Sequence, residues 1–398
     1  MPRNTPRAGA EVAADADPRQ VVVVGAGPAG LLLAGSLRLG GAEVTVLERR
    51  TERATETRAT TLNARTMEIF DELGLLDLLG VPPNEPMGHF GGIPLDLSQV
   101  DSPYPGQWKV PQTRVEELLE KWAIEQGAQV RRGVGVRSVR VRSTFAEVGG
   151  DGLEEPLRAA YLVGCDGQDS TVRSEAGIAF PGTSATHELL AADVAGIDVP
   201  NRRFERFPAG LAVASRRPDG LTRVMVHRHG HLTPRRIGTP SFGEVAAAWR
   251  TVTGESIGHG TAVWLHAFDN AARQAERFRR GRILLAGDAA HRQMPVGGLP
   301  INLGIQDAHA LGPALAAVAT GRGPESLLED YHDRRHGAVR KALSAMRVQE
   351  QLLLGGPEQD PHRALIADLM THRSVRRKLA AFASGLDHQE DEKDAEEK

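Results

Sequence analysis

Val21-Val22-Val23-Val24-Gly25-Ala26-Gly27-Pro28-Ala29-Gly30 is the stretch on which the fold turns. Four consecutive valines form an apolar run too short for a helix. A strand apolar at every residue is buried on both faces, which points to a parallel sheet sandwiched between helices. The glycines fit G-x-G-x-x-G, and Leu31 to Leu39 follows with apolar residues at helical spacing. Glu43 to Glu48 (EVTVLE) reads as a second strand and completes a βαβ unit. In that unit Gly25 permits the tight turn, Gly27 lets a pyrophosphate approach the backbone, and Gly30 lets helix and strand pack closely. Pro28 and Ala29 open the helix, whose N-terminus offers N–H groups and the positive end of its dipole to phosphates. Glu48 closes the second strand, where an acid accepts hydrogen bonds from a ribose diol. This is a dinucleotide site, and the acid favours an unphosphorylated adenosine ribose: FAD or NAD rather than NADP.

Working outward, the 398 residues are 40% hydrophobic and 25% charged with a formal net charge of −3. That is enough chain for two domains with a buried core. The balance of 48 basic and 51 acidic residues gives no nucleic-acid footprint, and 4% aromatics leave little for base stacking. No apolar run approaches the roughly 20 residues of a membrane span, and no apolar leader segment is present. The single cysteine, Cys165, excludes an internal disulfide framework and a thiolate metal site, so a reducing, cytoplasmic setting is expected. Residues 1–19 read as a flexible extension and 387–398 as a disordered acidic tail.

Two more segments repeat the strand–turn–helix logic. Ala160 to Asp166 is strand-like and runs into Asp166-Gly167-Gln168-Asp169-Ser170-Thr171-Val172-Arg173. Arg282 to Ala286 runs into Gly287-Asp288-Ala289-Ala290-His291. Each puts an Asp at a strand end, where open α/β sheets bind ligands, although an Asp there is equally a helix cap. Val115 to Gln126 reads as a helix. Residues 81–110 are Pro- and Gly-rich and 187–271 carries short alternating segments, such as Arg223 to His227; the two together predict antiparallel strands forming a second sheet inserted twice. Helical patterns then run over Leu327 to Gln351 and Ala364 to Ala383.

The three motifs together resemble the single-component FAD-dependent aromatic hydroxylases, of which p-hydroxybenzoate hydroxylase is the type. The likeness covers about Val21 to Arg340 and is nearest to hydroxylases that tailor aromatic polyketides in antibiotic biosynthesis. It implies a Rossmann-like α/β FAD-binding domain (20–80, 111–186 and 272–340), an inserted, mostly antiparallel substrate domain (81–110 and 187–271) and C-terminal helices (341–386). It also implies a short form without the thioredoxin-like C-terminal domain of many polyketide-type relatives. Gly287 and Asp288 resemble the family's second FAD motif, whose Asp holds the ribityl chain. Asp166 and Gly167, with Arg173, resemble its DG motif, associated with FAD and with transient NADPH or NADH. Arg49, Arg58 and Gln112 join the implied FAD contacts, as do Pro295, Gly298, Ile301 and Asn302. After Pro295 the family reads Gly-Gly-Gln-Gly-Leu-Asn; here Gly297-Gly298-Leu299-Pro300-Ile301-Asn302 stands instead. Pro300 stiffens a segment that normally carries glycine, and altered flavin mobility is the expectation.

The resemblance implies that NADPH or NADH reduces FAD, that O2 adds at the flavin C4a, and that the resulting hydroperoxide hydroxylates an electron-rich ring. Flavin-dependent reduction or Baeyer-Villiger-type oxygen insertion on the same fold, and a non-catalytic FAD-binding partner protein, are the alternatives. Because the cofactor carries the chemistry, no catalytic triad is expected. A base for a phenolic substrate is sought among His227, His266 and His291, each with a structural or surface role as the competing reading. Met225, Trp264 and Phe268 are candidate pocket walls or ordinary core. His227, His229 and His231 alternate without a carboxylate or cysteine beside them, so no metal site is expected. Cys165 reads as a small buried residue.

Overall fold

The computed structural model describes residues 20–55, 59–233 and 235–387. The N-terminal extension, Arg58 and all of the acidic tail beyond Asp387 lie outside the described residues.

The valine run forms β1 (Gln20–Val24), with Val21, Val22 and Val23 fully buried. It leads through the glycine turn into α1 (Pro28–Leu39) and β2 (Glu43–Glu48). Further along come α2 (Ala64–Glu72), α3 (Gln112–Glu125), β3 (Gln129–Arg132) and β4 (Tyr161–Gly164). Four antiparallel strands follow, β5 (Glu188–Ala195), β6 (Arg202–Phe207), β7 (Gly210–Arg216) and β8 (Thr222–Arg228). After α4 (Phe242–Thr253), β9 (Thr261–Asp269) completes that group. β10 (Arg279–Arg280), β11 (Ile283–Leu285), α5 (Leu299–Ala319), α6 (Ser326–Leu354), α7 (Asp360–Leu369) and α8 (Arg373–Ser384) end the described chain.

The main sheet runs β10–β11–β4–β1–β2–β3 and is parallel except for β10. Strand order reverses between β1 and β4, so their C-terminal ends, Val24 and Gly164, stand side by side. A crevice at such a switch point is where open α/β sheets bind ligands. Helices α1, α3 and α5 cover the sheet with Leu31, Leu33, Leu119, Trp122, Ile305 and Leu311 in one continuous core.

The second sheet runs β6–β7–β8–β5–β9, antiparallel throughout. One face packs under α4: Leu190, Ala192, Val224 and Val226 meet Val245 and Trp249. That helix starts on a Ser241–Glu244 capping box and stops at left-handed Gly254. By the two-residue period of strands, the opposite face carries Leu189, Leu211, Met225, His227, Trp264, His266 and Phe268.

Three expectations differ in detail. Residues 81–110 do not enter the second sheet; they form a hairpin, Met87–Phe90 with Ile93–Asp96, and two short strands beside Thr61–Leu62. The hairpin is held instead by Phe90, Leu95 and Leu97 packing on Leu352, Ala380 and Ala381. The pattern over Ala364 to Ala383 is two helices, α7 and α8, because the chain turns at buried Met370, and α8 lays Ala380 and Ala381 on that hairpin. The helix expected from Val115 begins at Gln112, directly after Pro111. No described helix is long and apolar enough to cross a membrane.

Candidate active site

The glycine loop is locked on two sides and open on the third. A Cβ on Gly25, at φ +105°, would lie 2.3 Å from the Cys165 carbonyl oxygen, and one on Gly30 would lie 2.0 Å from the Gly25 oxygen. A Cβ on Gly27 would meet nothing within 4 Å. Gly25 and Gly30 thus serve the fold, and Gly27 leaves room for something else. The first intrahelical bond of α1 runs from Leu31 N–H to Gly27 O, so the N–H groups before it face outward as an anion site.

Beside this loop lies a cavity of about 560 Å³ walled by Gly25, Gly27, Glu48, Arg49, Gln112 and Asp166, six of the residues expected from sequence. Glu48 accepts from Ala26 N–H (2.8 Å) and Arg50 N–H (2.9 Å), which fixes its carboxylate at the rim. Gln112 donates to Glu116 (2.8 Å), whose carboxyl is pushed up by burial. The far wall is Gly133 to Arg137 with Asp151. Gly133-Val134-Gly135 lacks the third glycine of a dinucleotide motif. Its place comes from Gly133 and Val134 N–H groups bonding to the Arg50 and Glu48 carbonyls, a pairing without a local signature. Open space over Gly27, a helix N-terminus and an acid at the rim beside the loop fit an extended dinucleotide, in a volume usual for cofactor sites.

Asp166 works as a cap. It accepts from Ser170 Oγ (2.5 Å) and Val172 N–H (3.1 Å), while burial pushes its carboxyl up. Gly167, at φ +83°, makes the turn. Arg173 is buried, donating to Ala289 O (2.8 Å) and Gln168 O (2.8 Å) with its guanidinium 3.7 Å from the Phe180 ring centroid. It therefore fastens the DG segment to the Gly287–Ala290 segment instead of facing a solvent-borne ligand.

Gly287, at φ +63°, abuts Ala29 on the first turn of α1. Asp288 is exposed between buried Gly287 and Ala289, which presents its carboxylate outward at the end of β11. His291 points the other way: it is fully buried, with Nε2 2.6 Å from Asp307 Oδ2. Asp307 also accepts from Gly287 N–H (3.0 Å) and Arg335 Nε (2.8 Å). Against the upward pull of burial, the neighbouring His291 and Arg335 hold its carboxyl below the usual range. Neither Asp307 nor Arg335 carries a motif signal; helical spacing alone assigns them a face.

Beyond Pro295, Gly297 and Gly298 are left-handed (φ +70° and +73°) and Pro300 is the second residue of α5. Proline at that place removes no helical hydrogen bond. Ile301 and Asn302 complete the turn. The Asn302 side chain is a staple, accepting from Asn63 N–H (3.0 Å) and Thr66 Oγ1 (2.7 Å) and donating to Thr61 O and Gly298 O. Asp288, Pro295, Gly298, Ile301 and Asn302 lie outside the cavity walls. So do Pro28, Ala29, Gly30, Gly167 and Gly287; Gly287 stands against Ala29 and Gly298 against Thr61.

The second sheet meets this segment directly. Leu189, Leu211, Met225 and Phe268 pack with Met294 and Val296, which flank Pro295, and with Leu353 and Leu354 of α6. Along β9, Trp264 and His266 stack at 5.6 Å and His266 meets Phe268 edge-on at 4.5 Å. His227 is buried with Nδ1 2.9 Å from Glu188 O, and burial pulls it down to about 4. Burial likewise pushes the Cys165 thiol up, so it stays protonated.

The family described as FAD binding domain matches residues 19–346. The chain is 38% identical over 376 residues to a rifampicin monooxygenase of Streptomyces venezuelae, covering 90% of this chain and 77% of that protein. It is 37% identical over 390 residues to a 12-dehydrotetracycline 5-monooxygenase/anhydrotetracycline 6-monooxygenase of Streptomyces rimosus, covering 92% and 76%. Among solved structures, CabE, an aromatic hydroxylase from angucycline biosynthesis, superposes with a TM-score of 0.89 at 44% identity, covering 92% of this chain and 76% of that one.

Proposed function

The chain belongs to the FAD binding domain family, and on that premise we propose that it hydroxylates an aromatic, polycyclic polyketide-type phenol with electrons from NADPH or NADH and one oxygen atom from O2. The observation that carries this reading is the packing of the second sheet's Met225 and Phe268 on Met294 and Val296, beside the segment proposed to hold the flavin ring. An apolar sheet face beside a redox cofactor suits a flat, weakly polar substrate.

Gly25, Gly27, Pro28, Ala29 and Gly30 cradle the pyrophosphate of FAD in this reading, Glu48 and Arg49 the adenosine end, and Asp288 the ribityl chain. Gln112, Asp166, Gly167, Pro295 and Gly298 would border the cofactor, and the first turn of α5 at Ile301 and Asn302 would offer it the positive end of the helix dipole. When bound, FAD supplies the redox chemistry, accepting a hydride and activating O2 so that one oxygen enters the ring and the other leaves as water. The protein's own part is placement and exclusion of water: Leu189, Leu211, Leu353 and Leu354 pack into the same apolar cluster and keep water from that face. Of the three histidines considered for a substrate proton, His227 is held neutral by burial and His291 is bonded to Asp307, which leaves half-buried His266. We assign residues 187–271 as the substrate domain and, from the lone cysteine, a cytoplasmic setting.

The test is a purified protein that is yellow, oxidises NADPH or NADH faster with a polycyclic phenol, and places ¹⁸O from ¹⁸O2 in the product. Protein that binds no flavin removes the reading. Flavin that neither nicotinamide bleaches anaerobically supports a non-catalytic flavoprotein, and turnover without ¹⁸O supports plain reduction.

A further inference from the structure

We infer that Asp307 is a positioning residue for the flavin loop: from the third turn of α5 it holds Gly287 and His291, and so sets where Asp288 stands relative to both helix N-termini of the site. The inference rests on the reading of that site as the FAD site. Asp307 is completely buried, yet two of its three donors, Gly287 N–H (3.0 Å) and His291 Nε2 (2.6 Å), belong to the five-residue segment that carries Asp288. The third, Arg335 Nε (2.8 Å), comes from α6, and the same guanidinium reaches Leu303 O and Gln306 Oε1 on α5 (3.4 Å each). An ion pair taken out of water is weak support for stability, because an apolar pair of similar volume often serves as well. What an apolar pair cannot do is accept the Gly287 N–H, and that bond is what ties the loop to α5.

The geometry explains the choice of helix. α5 begins at the Gly298–Asn302 turn, and Asp307 lies five residues on, about 7.5 Å along the axis. One rigid rod therefore carries both the turn that would offer the cofactor its helix dipole and the anchor of the ribityl loop. Gly287 in turn abuts Ala29 of α1, which brings the pyrophosphate helix to the same point. Asp307 touches no proposed substrate or cofactor position itself, so its action is through the loop.

The test compares D307N and H291Q with Y331F. Tyr331 is buried in the same core and donates to Leu285 O (2.7 Å), but bonds to nothing in the 287–291 segment. Apo stability is read by urea unfolding, FAD affinity by flavin fluorescence, and the flavin's surroundings by the shape of its visible absorption band. D307N is expected to weaken FAD binding by about tenfold or more, the loss of charge-assisted bonds that hold the loop. H291Q gives a smaller loss, and both alter the absorption band. Y331F lowers the urea midpoint while leaving FAD affinity within about twofold, since it acts on an independent bond. If D307N and H291Q bind FAD as Y331F does, Asp307 supports the core only and the inference is overturned. Should the unaltered protein bind no FAD, the flavin reading itself falls and this assignment with it; unaltered binding in the parent with unaltered binding in D307N removes this assignment alone.

Discussion

Replacing Gly27 by alanine should separate folding from cofactor binding, because the three motif glycines do different work. Gly27 sits at φ −80°, ψ 178°, an extended conformation that alanine adopts freely, and its Cβ would meet nothing within 4 Å. Apo stability should therefore stay within about 0.5 kcal/mol of the parent, or rise slightly through the smaller entropy of the unfolded chain. The new methyl occupies the approach of the pyrophosphate to the first turn of α1. Losing two charge-assisted hydrogen bonds of about 1.5 kcal/mol each gives roughly 3 kcal/mol, a weakening of FAD on the order of 100-fold. Gly30→Ala should do the opposite, since its Cβ would stand 2.0 Å from the Gly25 oxygen. Gly25→Ala adds a left-handed φ of +105° to a 2.3 Å approach to Cys165 O, and both should lose about 3 kcal/mol or more of folding stability. Urea unfolding of the apo proteins and a flavin fluorescence titration read the two quantities separately. G27A that folds like the parent and binds FAD within about threefold of it would refute the assignment of the open space to a pyrophosphate.

Three further outcomes follow from the site. Pro300→Gly should cost about 1 kcal/mol of stability through unfolded-state entropy and helix propensity, and change the rates of flavin reduction and hydroxylation; unchanged rates in stopped-flow argue against a role in flavin mobility. Asn302→Ala leaves Asn63 N–H and Thr66 Oγ1 without their buried acceptor, so a loss of about 2–4 kcal/mol in urea unfolding is expected, and a loss below about 0.5 kcal/mol contradicts the staple. His89 and His227 are each pulled by burial from 6.5 to about 4, so the unfolded chain takes up protons first as pH falls. Their stabilisation is complete above pH 6.5 and lost as pH falls toward 4, about 3 kcal/mol for each at the extreme. Urea midpoints measured from pH 7 to 4.5 should fall less steeply for His227→Gln than for the parent, and parallel slopes would count against it.

Much of the fold was legible because its decisive segments are short and self-describing. Val21 to Val24 is apolar on every residue because both faces of β1 are covered, and the glycines at 25 and 30 each answer to a contact within a few ångströms while the one at 27 leaves open space. Glu48, Gln112 and Asp166 come together at one cavity because motif spacing encodes the βαβ crossover and the strand ends. Residues 81–110 misled because a Pro- and Gly-rich stretch announces turns and short strands without saying which partner they join; the hairpin there pairs with itself and packs on helices more than 250 residues away in the chain. Asp307, Arg335 and the Gly133–Arg137 wall had no signature at all. Each acts through a partner distant in sequence, and a buried carboxylate on an apolar helix reads the same whether it is an anchor or an interruption. Local conformation and periodicity thus determined the βαβ start and the parallel sheet from sequence alone, and the resemblance of three motifs pointed to the family. Only the tertiary structure decided which side chains meet across those elements, because a hydrogen bond such as that between Asp307 and Gly287 depends on the packing of α5 against β11 and not on the residues between them.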